Sequence, residues 1–175
     1  MTILPADLPD PRPSTRAVAG AGVLPWRRHH VDVAVAPLVA VYQARHAGAT
    51  GDVIEQAFEV ALAAHATQVR RSGEPYITHP LRVAMIVAEL GLDDTTIASA
   101  LLHDAVEDTT VTLDELGLMF GQDVANIVDG VTKLDRLKFD SKEEQQAATL
   151  RKMFVAMAKD IRVLIIKLAD RLHNM

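Results

Sequence analysis

Residues 98–109 read ASALLHDAVEDT, and this stretch limits the fold more than any other. An apolar run leads straight into His103-Asp104, and a second acidic pair, Glu107-Asp108, begins three positions later. Four titratable groups within six positions, beside so much Leu, Ala and Val, cost free energy unless something compensates them. A metal ion is the obvious partner. An imidazole nitrogen with a carboxylate oxygen suits a borderline or hard divalent ion such as Mn, Fe or Zn. A His-Asp pair also occurs as a plain polar helix end, so the weight falls on the rest of the chain.

Composition narrows the chemistry. The chain has no cysteine, which excludes disulfides, zinc-thiolate sites and thiol nucleophiles. Any metal is left to His, Asp, Glu and water. A net charge of -5 argues against electrostatic, sequence-independent binding of nucleic acid, although a local Arg/Lys pocket for a small anion needs only a few residues. At 175 residues and 49% hydrophobic, the chain can bury one real core. No apolar run is long enough to span a membrane. No basic region followed by an apolar core opens the sequence, so a cytoplasmic protein is expected.

Residues 1–30 hold most of the prolines and the string Arg27-Arg28-His29-His30, and read as a flexible or loosely docked arm that Trp26 could anchor. The basic string could touch an anion; a solvated charge run is the simpler reading. The body, residues 31–175, reads as helix after helix. The first is expected over 31–47, and a second over 52–69. In the second, Ile54, Ala57, Phe58, Ala61, Leu62 and His65 recur at the spacing of a buried helical face. His65 on that face reads more simply as a hydrogen-bonded core histidine than as a support for a metal ligand.

Gly73 and Pro75 then break the chain. Arg70 and Arg71, at the expected helix exit, could clamp phosphate or stack on a base, or merely complement the helix dipole. His79-Pro80 opens a third helix with His79 as its cap, a buried stripe of Leu81, Met85, Ile86 and Leu90, and a stop at Gly91. Asp93 or Asp94 caps a fourth, which ends at His103-Asp104. Adjacent side chains in mid-helix diverge by about 100°, but at a helix end both can converge on one ion. Thr112 and Glu115 form a capping box for a helix over 113–119. Gly121 precedes a helix through Val131 and Leu134, and Ser141 with Glu144 caps another through 159. Asp160 caps the last, 161–173, whose apolar residues fall nearly all round and mark it as central and buried.

Within that last helix sits Asp170, with Lys167 and His173 three positions to either side on one face. A buried carboxylate must be paired, for which Arg171 is available, or must coordinate a metal. His79, His103, Asp104 and Asp170 together supply two imidazoles and two carboxylates, a set that fits Mn²⁺ or Fe²⁺ well and Zn²⁺ acceptably. Glu107 and Asp108, one turn further on, are better placed to orient or deprotonate an attacking water. The fold class is all-α, a single compact helical domain.

The order H…HD…D, in the strings SGEPYITHP, LLHDAVEDT, GVTKLDR and IKLADRLHNM, resembles the HD-domain metal-dependent phosphohydrolases. More closely, it resembles the N-terminal hydrolase domain of the RelA/SpoT homologues, over about residues 38–175. The resemblance implies a helical HD fold, one Mn²⁺, and hydrolysis of the 3′-pyrophosphate of ppGpp or pppGpp to GDP or GTP plus pyrophosphate. By position it implies His79, His103, Asp104 and Asp170 as metal ligands and Glu107 and Asp108 as the catalytic acidic pair. It also implies a base-stacking Arg70, Arg71 where the family often has lysine, a pocket-lining Tyr76 and a substrate-contacting Asn174. No synthetase domain is expected, as in a small stand-alone alarmone hydrolase. The family continues beyond HNM with turns that help wall the guanine pocket, so weaker base binding is expected of a chain stopping at Met175. The expected partners are the nucleotide and a second copy of the chain, with no nucleic acid and no membrane. The competing expectations are an HD hydrolase for another nucleotide and a catalytically weak regulatory remnant.

Overall fold

The computed structural model describes residues 25–135 and 160–175. Of the expected arm over 1–30, residues 1–24 lie outside them, as does the capping box at Ser141, while residues 25–30 fall in the first helix. Among the described residues the chain forms α-helices and no strand beyond one isolated bridge between Val69 and Pro75. The helices are α1 (Pro25–Arg45), α2 (Asp52–Ala64), α3 (Thr78–Glu89), α4 (Asp94–Leu102), α5 (Ala105–Asp108), α6 (Leu113–Phe120), α7 (Gln122–Asp135) and α8 (Ile161–His173).

The core is organised around α4 rather than around the last helix. Every residue from Thr96 to Leu102 is buried, and α2, α3, α7 and α8 all pack on this short element. Small side chains explain it: Ala98, Ser99 and Ala100 let neighbours approach from several sides. Its polar groups are bonded locally, Thr96 to the capping carboxylate of Asp93 and Ser99 Oγ to the Thr95 carbonyl at 2.8 Å. The final helix, α8, buries one face through Val163, Leu164, Ile166, Ala169 and Asp170. Ile161, Leu168 and Leu172 are 47%, 50% and 61% exposed, so the all-round burial expected of it does not occur. Gly130 lets α7 and α8 meet closely, since a Cβ there would lie 2.8 Å from Val163 Cγ2.

Several boundaries differ from the sequence reading. The first helix starts at Pro25, six positions early; proline at a helix start loses no hydrogen bond. Pro37 therefore falls inside it and not near its start. The second helix ends at Ala64, not at 69, because tertiary bonds claim the following residues. Gln68 Nε2 donates to the Asp108 carbonyl at 2.8 Å, and the 69–75 turn closes on itself through Arg70 N to Glu74 O at 2.8 Å. Gly73, at φ 87°, makes that turn. Arg70 and Arg71 thus stand in a tight turn and not at a helix exit.

In α3 the cap is Ile77, and His79 lies within the first turn. Its buried stripe runs through Val83, Ala84, Val87 and Ala88; Leu81, Met85 and Ile86 are only partly buried and Leu90 is 64% exposed. The capping box between Thr112 and Glu115 forms as expected, with both hydrogen bonds present. Asp93, not Asp94, caps α4.

Candidate metal centre

Three chain segments bring the site together. The first turn of α3 supplies His79, the joint between α4 and α5 supplies His103 and Asp104, and the last turn of α8 supplies Asp170. A ring nitrogen each of His79 and His103 and a carboxylate oxygen of Asp170 all lie within 4.8 Å of one another. Asp104 spans the two imidazoles, with Oδ2 3.5 Å from His79 Nε2 and Oδ1 3.1 Å from His103 Nε2. Asp170 Oδ1 is 3.2 Å from His79 Nε2. The helix break after Leu102 lets two consecutive residues face one point: His103 closes α4 and Asp104 opens α5.

The protonation of His103 follows from its neighbours. Its Nδ1 lies 2.8 Å from the Ala100 carbonyl, which can only accept, so Nδ1 carries the proton. When the ring is neutral, the lone pair of Nε2 therefore faces Asp104 Oδ1. That nitrogen is buried and has no hydrogen-bond partner. A lone pair facing a carboxylate oxygen at this distance is repulsive unless a cation lies between them. Two imidazole nitrogens and two carboxylates, with an orphaned buried nitrogen among them, fit a divalent ion of the Mn, Fe or Zn group.

Asp170 is paired, but not by Arg171, which is exposed. Lys167 Nζ donates to its Oδ2 at 2.7 Å and Asn174 Nδ2 to its Oδ1 at 2.6 Å. Burial opposes its ionisation, yet hydrogen bonds from His79 and Lys167 outweigh that and hold its carboxyl below the usual range. Behind His79 stands His173, their Nδ1 atoms 2.9 Å apart. Burial first, then the charges of His79, Arg70 and Arg82, push His173 below its ordinary value.

A pocket of about 370 Å³ opens over these groups, lined by Arg70, Tyr76, His79, Asp104, Glu107, Asp108, Lys167, Asp170 and Asn174. All the sequence-selected residues line it except His103, which is buried behind Asp104, and Arg71, which is exposed outside it. Arg70 Nη2 reaches Asn174 Oδ1 at 3.3 Å, joining the 69–75 turn to the end of α8 at the rim. Tyr76 donates to Asp104 Oδ2 at 2.8 Å, with Asp108 Oδ2 at 3.1 Å as the alternative acceptor. Burial and the Asp104 charge raise its phenol well above the ordinary value, so it stays protonated. His65 is the hydrogen-bonded core histidine expected: its Nδ1 lies 2.7 Å from Gln68 Oε1, and its ring stacks on Tyr76 at 4.6 Å. Sequence reasoning missed Lys167 and His173 as parts of the site, although their spacing about Asp170 put all three on one face.

Comparison with known proteins agrees with this arrangement. Residues 57–175 match the family described as HD domain. The chain is 55% identical over 149 residues to a probable GTP pyrophosphokinase of Mycobacterium leprae, covering 85% of this chain and 19% of that protein. It is 57% identical over 122 residues to the bifunctional (p)ppGpp synthase/hydrolase SpoT of Escherichia coli K12, covering 70% of this chain and 17% of that protein. The chain thus spans less than a fifth of the length of these relatives. Among solved structures it is similar to a metazoan ortholog of SpoT that hydrolyzes ppGpp, with TM-score 0.56 and 29% identity over 73% of this chain and 71% of that one. With two imidazoles and two carboxylates gathered at three helix ends and its sequence matched across two thirds of its length, the chain belongs to the HD-domain family and is an HD domain of the RelA/SpoT type.

Proposed function

We propose that this domain is an Mn²⁺-dependent hydrolase removing the 3′-pyrophosphate of ppGpp or pppGpp. The observation that carries the reading is the buried, unpartnered Nε2 of His103 aimed at Asp104 within a pocket lined by acidic groups. That pocket holds four carboxylates against the two cationic side chains Arg70 and Lys167. A polyanionic nucleotide does not enter such a site unless a cation first offsets the carboxylates. Two imidazoles among the donors favour Mn²⁺ over Mg²⁺, which prefers oxygen ligands and keeps its waters. The activities named for the SpoT relatives supply the substrate class.

His79, His103, Asp104 and Asp170 would hold the ion. When bound, it supplies Lewis acidity toward phosphoryl oxygen and a lowered pKa for water. The chain does the rest. Glu107 accepts a proton from the attacking water as its oxygen bonds to the 3′-phosphorus. The bond from phosphorus to the 3′-oxygen breaks, pyrophosphate departs, and the 3′-oxygen leaves as a hydroxyl carrying the proton that Glu107 took from the water. Asp108, whose carboxylate stands beside the Tyr76 hydroxyl, orients the water. Arg70 offers a flat cationic face to the base, and Asn174 fixes Arg70 and Asp170 together. Such chemistry belongs where guanosine nucleotides are, in the cytoplasm.

The test is a nucleotide panel with the purified 175-residue chain and Mn²⁺. Turnover of ppGpp and pppGpp with release of pyrophosphate is expected, at rates well above those for nucleotides lacking a 3′-pyrophosphate. Preference for another nucleotide would make this a different HD hydrolase. Binding without turnover would make it a regulatory domain.

A further inference from the structure

We propose that Gln68 is a positioning residue for the acidic pair Glu107-Asp108, aimed by His65, a role that rests on the hydrolase reading and deepens it. Glu107 and Asp108 sit in α5, which is four residues long. A helix that short has no stability of its own. Its end is bonded locally, Asp108 N to the Asp104 carbonyl at 2.9 Å and Thr109 Oγ1 to the Ala105 carbonyl at 2.5 Å. The Asp108 carbonyl is one of those that a helix end leaves without an intrahelical partner. Gln68 supplies the partner from 40 positions away, its Nε2 donating at 2.8 Å.

The orientation of that amide is set from both sides. A carbonyl only accepts, so the amide nitrogen of Gln68 must face Asp108 and Oε1 must face away. There Oε1 meets His65 Nδ1 at 2.7 Å, and Nδ1 is the donor. His65 thus holds the amide in the one orientation that can bond α5. Its other nitrogen, Nε2, is buried with no hydrogen-bond partner, which costs free energy. A phenylalanine would stack on Tyr76 equally well and leave no orphan, so donation to Gln68 is what the imidazole adds. The backbone of Gln68 is fixed too, its N bonded to the His65 carbonyl and its carbonyl to Tyr76 N, each at 3.0 Å. The donor that reaches α5 is therefore anchored to the segment that carries Arg70 and Tyr76. Without it the end of α5 can shift, and a displacement of about 1 Å is enough to slow a positioned reaction. His103 and Asp104 precede α5, so the metal centre is spared.

The test uses the full chain and reads hydrogen exchange of the Asp108 amide, Mn²⁺ affinity and steady-state kinetics on ppGpp together. Gln68→Met keeps the length of the side chain and removes its polar atoms. Exchange of the Asp108 amide should quicken by roughly two- to tenfold, as for one lost hydrogen bond. The kcat should fall on the order of 10- to 100-fold, with KM and Mn²⁺ affinity near wild type. Gln68→Glu keeps the acceptor for His65 and turns an oxygen on the Asp108 carbonyl, so its kcat should fall as far. His65→Phe frees the amide to turn and should show the same pattern in smaller degree. Gln68→Met with wild-type exchange and kcat, or with a lowered melting temperature as its only change, overturns the inference, as does full kcat in Gln68→Glu. Should Gln68→Met fail to fold, Gln68→Glu and His65→Phe still decide it. If wild type turns over no nucleotide, the hydrolase reading falls instead, while exchange of the Asp108 amide in the variants still judges whether Gln68 holds α5.

Discussion

The hydroxyl of Tyr76 donates to Oδ2 of Asp104 at 2.8 Å, tying the 69–75 turn to the aspartate at the joint of α4 and α5. The partners on the far side are equally fixed, with the Tyr76 ring stacked on buried His65. Tyr76 thus lines the pocket and also holds the carboxylate proposed as a metal ligand. Tyr76→Phe keeps the ring and its stacking and removes only the hydroxyl. Metal affinity is expected to fall about tenfold or more, in the range typical of lost ligand support. A Tyr76→Phe variant with wild-type metal affinity and only a raised KM would return Tyr76 to a purely substrate-binding role.

Asp104→Ala and Glu107→Ala should differ in kind. Loss of a ligand removes bound metal. Loss of the proton acceptor leaves the metal and lowers kcat by a factor on the order of 100 or more. Metal content of the two purified variants, measured beside their kinetics, distinguishes them. Equal metal loss in both would make Glu107 a ligand.

Arg70→Ala should act mainly on binding. Arg70 is bonded to Asn174 at 3.3 Å, and in the proposed reaction it meets the base. Contacts of that kind contribute alike in ground and transition states, so KM should rise by roughly tenfold to 200-fold, the equivalent of about 1–3 kcal/mol. Steady-state kinetics with ppGpp reads the split. A fall in kcat at unchanged KM would move Arg70 into the reacting centre.

Much of this site is visible in residue types. His103-Asp104 after an apolar run, Asp170 inside an apolar helix and the Thr112–Glu115 capping box each announce a local cost and its local solution. What periodicity does not carry is who covers whom. It made α8 central because its apolar residues run nearly all round, whereas the small residues of α4 are what allow four helices to crowd one element. The partners of the candidate ligands are legible only after folding, since Tyr76 and Asp104 are 28 positions apart and His79 and His173 are 94 apart. The second helix looked longer because propensity continues past Ala64, and the bond from Gln68 to the Asp108 carbonyl, 40 positions away, is what ends it.

At the start of α8, Arg162 forks onto Asp160 at 2.7–3.0 Å and onto Asp123 of α7 at 2.9–3.0 Å. Hydrogen bonds from Arg162 hold the Asp160 carboxyl below its ordinary value. A depressed carboxylate stabilises the fold above its unfolded-state pKa, near 3.8, and loses that contribution as pH falls through its folded-state value. Asp160→Asn keeps a capping side chain and removes the charge. Wild type should therefore be more stable at pH 7 by about 1 kcal/mol or less, with the gap closing in acid. Melting curves of both proteins from pH 7 to pH 3 check this, and a gap that widens in acid would contradict it.

The most direct measurement is product analysis on metal-stripped protein given ppGpp, before and after Mn²⁺ is restored. No turnover is expected without metal. With Mn²⁺, GDP and pyrophosphate should appear in equal amounts, with no orthophosphate, and Asp104→Ala should abolish both. Full activity in the metal-free protein, or orthophosphate in place of pyrophosphate, would contradict the account.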